Sequence, residues 1–478
     1  MLFNSIDFSF FLPIVFILYW FIFNNNLKIQ NLLIVAASYL FYGWWDYRFL
    51  GLIVLSTMID YFIGQRLGKA NPSINRKLLL WVSIIANLGF LGFFKYYNFF
   101  LDNFITAFTF FGYEIKPNTL NIILPVGISF YTFQTLSYTI DVYNRKLKPT
   151  DDFISFAAFV SFFPQLVAGP IERAKNLLPQ FYKERIFDYD KAIDGMRQIL
   201  WGLFKKVVIA DNCAIFADQI FNNYTDFSGS TLLLGAIFFA FQIYGDFSGY
   251  SDIAIGTAKL FGFTLMQNFA FPYFSRDIAE FWRRWHISLS TWFRDYLYIP
   301  LGGSRGANYM KIRNVFIIFL VSGFWHGANW TFIVWGGLNA LYFLPIMLMN
   351  KNRVNTDIVA QGNFFPNLRE FFSILLTFSL TLLAWIFFRA DSIGMAVGYI
   401  MCIFNKSLFS IPQVISLQVI ALIFILLIIE WIQRGKNHAL EFDTEDMPII
   451  FRWIFYFLIT FLIGSFFGEK TSFIYFQF

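Results

Sequence analysis

The amino-acid sequence predicts an all-α integral membrane protein that crosses the bilayer many times. Of its 478 residues, 58% are hydrophobic and 22% aromatic, whereas only 14% are charged; in soluble domains roughly a quarter of the residues are charged. The apolar residues also form runs of the length that spans hydrocarbon, which is about 17 to 25 residues for a helix. The run 371–388, for example, contains no charged residue. A soluble fold could not bury this much apolar surface.

The apolar runs predict about eleven transmembrane helices together with re-entrant or interfacial helices. They lie near residues 8–23, 29–45, 49–64, 78–94, 97–112, 120–140, 153–169, 231–245, 250–263, 314–349, 371–388, 411–429 and 449–467. Because no repeat or long linker separates them, we expect one membrane domain over 1–478. The core motif region of this domain is at about 120–345.

The basic residues indicate the orientation of the chain. Lys and Arg concentrate in 66–77, 173–206 and 276–313, and short basic loops remain in the cytoplasm. Counting helices back from 66–77 places the N-terminus on the side opposite to the cytoplasm. Basic loops facing anionic lipid explain the net charge of +6, so no nucleic-acid partner is expected.

Two cysteines and three histidines leave too few ligands for a structural metal site, which usually needs four. We therefore expect no metal. His438 lies in a polar loop beside Lys436, where we expect it to be solvated.

His326 is the main catalytic candidate because it lies in a stretch without charge between Arg313 and Lys351. At about 1.5 Å per helical residue it would lie roughly 20 Å from Arg313, deep in a bilayer core about 30 Å thick. Burial favours the neutral imidazole that a general base requires. A structural histidine bonded between two helices fits the same pattern.

Polar neighbours favour the catalytic interpretation of His326. Gly323 and Gly327 allow a second backbone or a substrate channel to approach the ring. If the helix is continuous, Ser322 and Asn329 share the face of His326 and could orient it. An Asn329 dipole could also stabilise a developing oxyanion.

The segment Glu280–Tyr296 has Phe281, Trp285, Leu289 and Trp292 at helical spacing, which is typical of one helix lying in the membrane interface. Such a helix could be only an anchor. Alternatively, its arginines hold a phosphate-bearing donor, with His286 close by, since guanidinium groups suit phosphates. The arginines in question are Arg283, Arg284 and Arg294.

Two carboxylates, Asp246 and Asp252, lie in an apolar run together with Ser248. Ionised acids there are costly unless they are paired or hydrated. The spacing around Ser248 differs from a G-x-S-x-G nucleophile elbow. A structural network, a helix broken over a cavity and a direct catalytic part remain alternatives.

Several motifs together resemble the membrane-bound O-acyltransferase family, most of all its branch that O-acetylates alginate. The resemblance covers nearly the whole chain. It is carried by Phe281-Trp-Arg-Arg-Trp-His286, Ile299-Pro-Leu-Gly-Gly303 and Phe324-Trp-His326-Gly-Ala, and by the segments 127–134, 163–170, 246–252 and 473–478.

The resemblance implies a ring of helices around a central tunnel, which joins a cytoplasmic donor side to an external acceptor side. It implies that His326 is the catalytic histidine and that His286 is a second histidine needed for activity. The residues expected to bind substrate are Arg283, Arg284, Arg294, Asn329, Asp246, Ser248, Asp252 and Trp325.

The resemblance also implies the substrates and partners. An acyl group, in this branch acetyl, comes from a thioester such as acetyl-CoA or an acyl carrier protein, with no permanently bound cofactor. The acceptor is an exported or cell-surface polysaccharide, reached through a periplasmic SGNH-type acyltransferase, and the protein lies among membrane lipids. The rival functions are D-alanyl transfer from a carrier protein and a transporter or flippase of a lipid-linked glycan, in which Asp246, Asp252 and His326 would form a polar path.

Overall fold

The computed structural model describes residues 1–69, 74–110, 120, 122–167, 169–442, 448–468 and 473–474. The regular structure in these ranges is helical and includes no β-strand, so the predicted all-α fold class is confirmed. The chain divides into two compact units, which are residues 1–192 with 257–265 and residues 193–256 with 266–478. The prediction of a single domain remains a prediction.

The first unit contains the N-terminal helices. They are α1 (Ile6–Ile17), α2 (Leu27–Asp46), α3 (Leu50–Lys69), α4 (Ile74–Leu91), α5 (Tyr97–Phe110), α6 (Ile128–Tyr143), α7 (Phe153–Ser161), α8 (Phe163–Leu166) and α9 (Ala174–Leu177). Short π-helical or 3₁₀ segments lie at Leu18–Ile22, Tyr47–Phe49, Gly92–Tyr96 and Leu178–Tyr182. Asn26 begins α2 and Asp152 begins α7, each accepting two backbone N–H groups that the first turn leaves unpaired.

The second unit contains most of the remaining helices. The rest of the chain forms α10 (Tyr189–Leu203), α11 (Asp211–Asn222), α12 (Gly229–Leu260), α13 (Ile278–Arg284), α14 (Ile287–Phe293), α15 (Asn308–His326), α16 (Trp330–Leu348), α17 (Leu368–Arg389), α18 (Ile393–Ile403), α19 (Leu417–Ile432) and α20 (Ile449–Ser465). Helices α10 and α12 each have residues in both units. Further π-helical or 3₁₀ segments are Phe204–Ala210, Tyr224–Asp226, Pro272–Phe274, Arg294–Tyr298 and Lys406–Phe409.

Five helical stretches among the described residues are long and apolar enough to cross a membrane. They are Leu27–Lys69, Asn75–Phe110, Gly229–Leu260, Trp330–Leu348 and Leu368–Arg389. Four shorter apolar helical stretches add to them. These features confirm a membrane protein, whereas about eleven crossings, the ring and the tunnel remain predictions.

Glycine and proline interrupt two apolar runs in the interior of the first unit. Gly127 has φ +74° at the start of α6, a conformation that glycine adopts without strain. A side chain there would collide with the carbonyl oxygen of Leu166, which follows Pro164 in α8. The breaks therefore allow two backbones to pack closely.

A buried carboxylate joins three helices of the first unit. Asp60 on α3 accepts hydrogen bonds from Ser83 Oγ (2.5 Å) and Asn87 Nδ2 (2.8 Å) on α4 and from Thr139 Oγ1 (2.8 Å) on α6. Three donors offset the cost of an acid at this depth.

The run 314–349 forms the hairpin α15–α16. Its helices pack closely at two glycines, because a side chain at Gly323 would collide with the carbonyl oxygen of Phe332, and one at Gly336 with that of Phe319. Helix α15 ends at His326 and Asn329 begins α16. The condition under which Asn329 would share the helical face of His326, a continuous helix, is therefore not met.

Candidate active site

His286 and His326 both lie close to the ring of one tryptophan. The ring centroid of Trp325 is 5.0 Å from that of His326 and 6.2 Å from that of His286. All three side chains are buried, with exposed fractions of 1% for His286 and 4% for the other two. The structure thus brings together the two histidines and the tryptophan that the sequence analysis selected.

Aromatic rings surround His326 at the turn of the hairpin. Trp335 of α16 and Phe388 of α17 have ring centroids 5.1 Å and 5.4 Å from that of His326, both in edge-to-face arrangements. Ser322 is buried one turn earlier on α15. Sequence reasoning missed Trp335 and Phe388, because their approach depends on how α16 and α17 pack.

Asn329 has a different position from the expected one. Its side-chain oxygen accepts the Thr331 N–H at 3.0 Å, as the cap of α16, and its Nδ2 donates to the carbonyl oxygen of Asp391 at 3.0 Å. Because α15 ends before it, Asn329 does not share the helical face of His326. Its role in binding substrate remains a prediction.

His286 lies at a break between two short helices. It has φ +43° and precedes α14, so the expectation of one interfacial helix over Glu280–Tyr296 is wrong. Its ring packs against Phe247 of α12 with centroids 4.6 Å apart. Nδ1 lies 3.1 Å from the side-chain oxygen of Asn268. Burial lowers the pKa of His286 from 6.5 to about 3, so the imidazole is neutral at physiological pH.

The three arginines each make different contacts. Arg283 donates to the carbonyl oxygens of Asn352 and Asn355 at 2.7 and 2.6 Å. Arg284 forms a 2.9 Å ion pair with Glu280. Arg294 is 56% exposed and pairs with its neighbour Asp295. Two of the three therefore hold protein segments together, and a role in binding phosphate remains a prediction.

The acids on α12 are paired with lysines that the sequence analysis assigned to a basic loop. Lys205 Nζ lies 2.5 Å from Asp252 Oδ2, and Lys206 Nζ lies 2.7 Å from Asp246 Oδ1. Both lysines are at most 3% exposed. These two side chains are therefore buried inside the protein, whereas the cytoplasmic position of 173–206 remains a prediction. Pairing offsets much of the cost of burying four charges.

Further contacts make this region of α12 a structural network. Ser248 Oγ donates to the Tyr244 carbonyl oxygen at 2.6 Å, as a residue inside a helix commonly does. Tyr244 donates to Glu430 of α19 at 2.8 Å. Helix α12 is continuous across Asp246 and Asp252, so the alternative of a broken helix is wrong.

The chain end also contacts α12. Asp246 Oδ2 accepts the Ile474 N–H at 2.6 Å. The ring of Phe473 is fully buried and packs 4.4 Å from that of Tyr250.

The third histidine, His438, is 2% exposed. Its Nε2 lies 2.8 Å from Asp194 Oδ1. The expectation of a solvated residue is therefore wrong. The partner Asp194 is 244 positions away, so local composition does not reveal the contact. In the described residues, no three His, Cys, Asp or Glu side chains are grouped as metal ligands would be.

Comparison with known proteins gives the class of protein. Residues 145–387 match the model of the membrane-bound O-acyltransferase family. The chain is 43% identical over 400 residues to the probable alginate O-acetylase AlgI of Azotobacter vinelandii, covering 83% of this chain and 76% of that one. It is 38% identical to the peptidoglycan O-acetyltransferase of Helicobacter pylori (83% and 78%) and 29% identical to the teichoic acid D-alanyltransferase of Streptococcus thermophilus (54% and 66%).

These matches define the class of protein as a membrane-embedded O-acyltransferase. The chain belongs to the membrane-bound O-acyltransferase family. His286, Trp325 and His326 all lie inside the region that the family model matches.

Proposed function

We propose that this protein transfers an acetyl group from a cytoplasmic thioester, such as acetyl-CoA, toward hydroxyls of an exported polysaccharide. The observation that carries the proposal is the burial of His286 and His326 around Trp325 within the region matched to acyltransferases. Relatives named for O-acetylation of alginate and peptidoglycan support the acetyl group and the glycan acceptor. The thioester is a substrate, and the scheme uses no permanently bound cofactor.

In the proposed reaction, His326 takes the proton of the acceptor hydroxyl as its oxygen attacks the thioester carbonyl. The carbon–sulfur bond breaks, and the thiolate leaves and takes up the proton. A general base of this kind contributes a factor of about 10² to 10⁴. The rings of Trp325, Trp335 and Phe388 exclude water from the imidazole, which protects the thioester from hydrolysis.

The same proposal includes location and partners. The protein lies in a bacterial inner membrane with its N-terminus in the periplasm and its basic loops in the cytoplasm. A periplasmic SGNH-type acyltransferase completes delivery to the polymer. We prefer acetyl-CoA to a D-alanyl carrier protein as donor, because the relative named for D-alanyl transfer is the less similar one.

The test uses purified protein in nanodiscs. It is incubated with acetyl-CoA labelled in the acetyl group, with the polysaccharide fraction of the producing cell and with the periplasmic partner. We expect label to reach the glycan, and His326→Ala to lower the rate by about 10² or more. His438→Ala is the matched control, since it removes a buried histidine bonded to Asp194. Undiminished transfer by His326→Ala overturns the catalytic role, and flipping of a lipid-linked glycan without consumption of acetyl-CoA overturns the function.

A further inference from the structure

Asn268 binds the start of α14 through both its backbone and its side chain. Its carbonyl oxygen accepts the Ile287 N–H at 2.9 Å. Its side-chain oxygen lies 3.2 Å from Ser288 N, 2.8 Å from Ser288 Oγ and 3.1 Å from His286 Nδ1. Its Nδ2 lies 2.8 Å from Ser251 Oγ on α12. Asn268, Ser251 and Ser288 are all at most 2% exposed, so water does not replace these contacts.

The orientation of the Asn268 amide follows from its neighbours. An amide oxygen and nitrogen look alike in shape and are distinguished by their hydrogen-bond partners. The backbone N–H of Ser288 can only donate, so the atom that faces it must be the oxygen. The NH₂ group then faces Ser251 Oγ, which can accept.

The amide orientation in turn fixes the histidine. An amide oxygen only accepts, so the nitrogen of His286 that faces it must carry a proton. Burial keeps the ring neutral, and a neutral imidazole has a single N–H. That proton is therefore on Nδ1, and the lone pair is on Nε2.

We infer that Asn268 is a positioning residue that holds His286 with its proton on Nδ1 and leaves Nε2 as the unprotonated nitrogen of that ring. Its importance for activity rests on the proposed function, but the tautomer does not. In the acyltransferase, Nε2 of His286 can then accept a hydrogen bond but cannot donate a proton. Asn268 acts through His286 and is not itself a catalytic residue.

His438 provides an internal reference with the opposite tautomer. Its Nδ1 accepts the Leu440 N–H at 3.3 Å, and its Nε2 lies 2.8 Å from Asp194 Oδ1. A backbone N–H cannot donate to a protonated nitrogen, so the proton of His438 is on Nε2. The chain has three histidines, which makes their nitrogen spectrum short enough to assign fully.

The test is nitrogen NMR of the full-length protein labelled with ¹⁵N-histidine in nanodiscs. Single substitutions of each histidine by Gln assign the signals. We expect a pyrrole-type Nδ1 and a pyridine-type Nε2 for His286, and the reverse for His438. A pyridine-type Nδ1 in His286 overturns the inference, whatever the activity of the protein.

Variants connect the tautomer to the reaction. Asn268→Leu removes the acceptor, so we expect both His286 tautomers in the spectrum. We also expect kcat to fall about tenfold, which corresponds to the loss of one net hydrogen bond. The KM for acetyl-CoA should be unchanged. Asn268→Asp retains an acceptor oxygen and should retain the Nδ1 proton and most of the activity. Asn314→Leu removes an equally buried amide on α15 and should leave the His286 signals unchanged.

The possible results separate the two proposals. If the wild-type protein shows the Nδ1 proton but transfers no acetyl group, the proposed function fails and the positioning of His286 stands. If it transfers acetyl groups and Asn268→Leu leaves both the spectrum and kcat unchanged, the positioning role fails and the function stands. If Asn268→Leu does not fold, the wild-type spectrum and Asn268→Asp still decide.

Discussion

The indole of Trp325 and the imidazole of His326 pack edge to face, with ring centroids 5.0 Å apart and planes at 78°. The same indole lies 6.2 Å from His286. One side chain therefore supports both histidines, although it carries no acid–base group.

Replacing Trp325 should lower activity by misplacing both rings. We expect Trp325→Ala to reduce the rate of acetyl transfer by about a hundredfold, because misplacement of a reacting group by about 1 Å has an effect of this size. Trp325→Phe, which retains a ring, should lose much less. The rates are measured with labelled acetyl-CoA on membrane-inserted protein. Equal rates for Trp325→Ala and the wild type would contradict the supporting role.

Two adjacent glycines of α16 should respond differently to a methyl group. A side chain at Gly336 would collide with the Phe319 carbonyl oxygen, whereas one at Gly337 would meet its nearest atom, in Leu320, at 3.8 Å. We expect Gly336→Ala to lower the free energy of unfolding by about 1–3 kcal/mol, as overpacking does, and Gly337→Ala to leave it nearly unchanged.

Thermal unfolding of these variants can be followed by the reaction of buried Cys213 with a maleimide dye, in a Cys402→Ser background. A lower midpoint for Gly336→Ala alone is the expected result. Equal midpoints for both variants would show that α15 and α16 are less closely packed than described.

The buried pair Lys206–Asp246 should be essential for stability. Lys206→Met leaves the charge of Asp246 buried without its cation, which costs about 3–5 kcal/mol. Lys206 also pairs with Asp211 at 2.8 Å, so adding Asp246→Asn should restore part of that loss by removing one of the two uncompensated charges. The exposed pair Arg48–Asp46 is the control, and Arg48→Met should not shift the thermal midpoint. A single Lys206→Met variant as stable as the wild type would refute the ion pair.

His286 should make the protein less stable in acid. It lies outside the candidate membrane spans, and burial lowers its pKa from 6.5 in the unfolded chain to about 3. Between these values the unfolded chain binds the additional proton, so stability is full above pH 6.5 and falls as the pH decreases toward 3. The slope from this one group is at most about 1.4 kcal/mol per pH unit.

The measurement compares thermal midpoints of the wild type and His286→Gln at several pH values between 7.5 and 5. The wild-type midpoint should fall more steeply with decreasing pH. Parallel curves would show that His286 does not titrate differently on folding.

The sequence alone predicted the features that depend on local pattern. The apolar runs predicted a helical membrane protein, and the charge-free stretch around His326 predicted a buried histidine. The structure confirms both. Periodicity could not predict the break at His286, because its conformation is stabilised by Asn268, which lies in the segment between α12 and α13.

The residues that sequence reasoning missed depend on distant partners. In the sequence, Lys205 and Lys206 belong to a basic stretch, whereas in the structure they pair with Asp252 and Asp246 of α12. In the sequence, His438 lies in a polar loop, whereas in the structure its ring contacts Asp194 of α10. A pairing across 40 to 244 positions produces no local signal, so only the fold reveals it.

Phe473 and Ile474 have a consequence for biosynthesis. Asp246 receives the Ile474 N–H from 228 positions further along the chain, and Phe473 fills space beside Tyr250. During translation, helix α12 enters the membrane long before the ribosome reaches these two codons. The interior of the second unit is therefore completed only after Phe473 and Ile474 have been synthesised, and nascent chains stalled before Phe473 should remain more sensitive to protease than chains that include both residues.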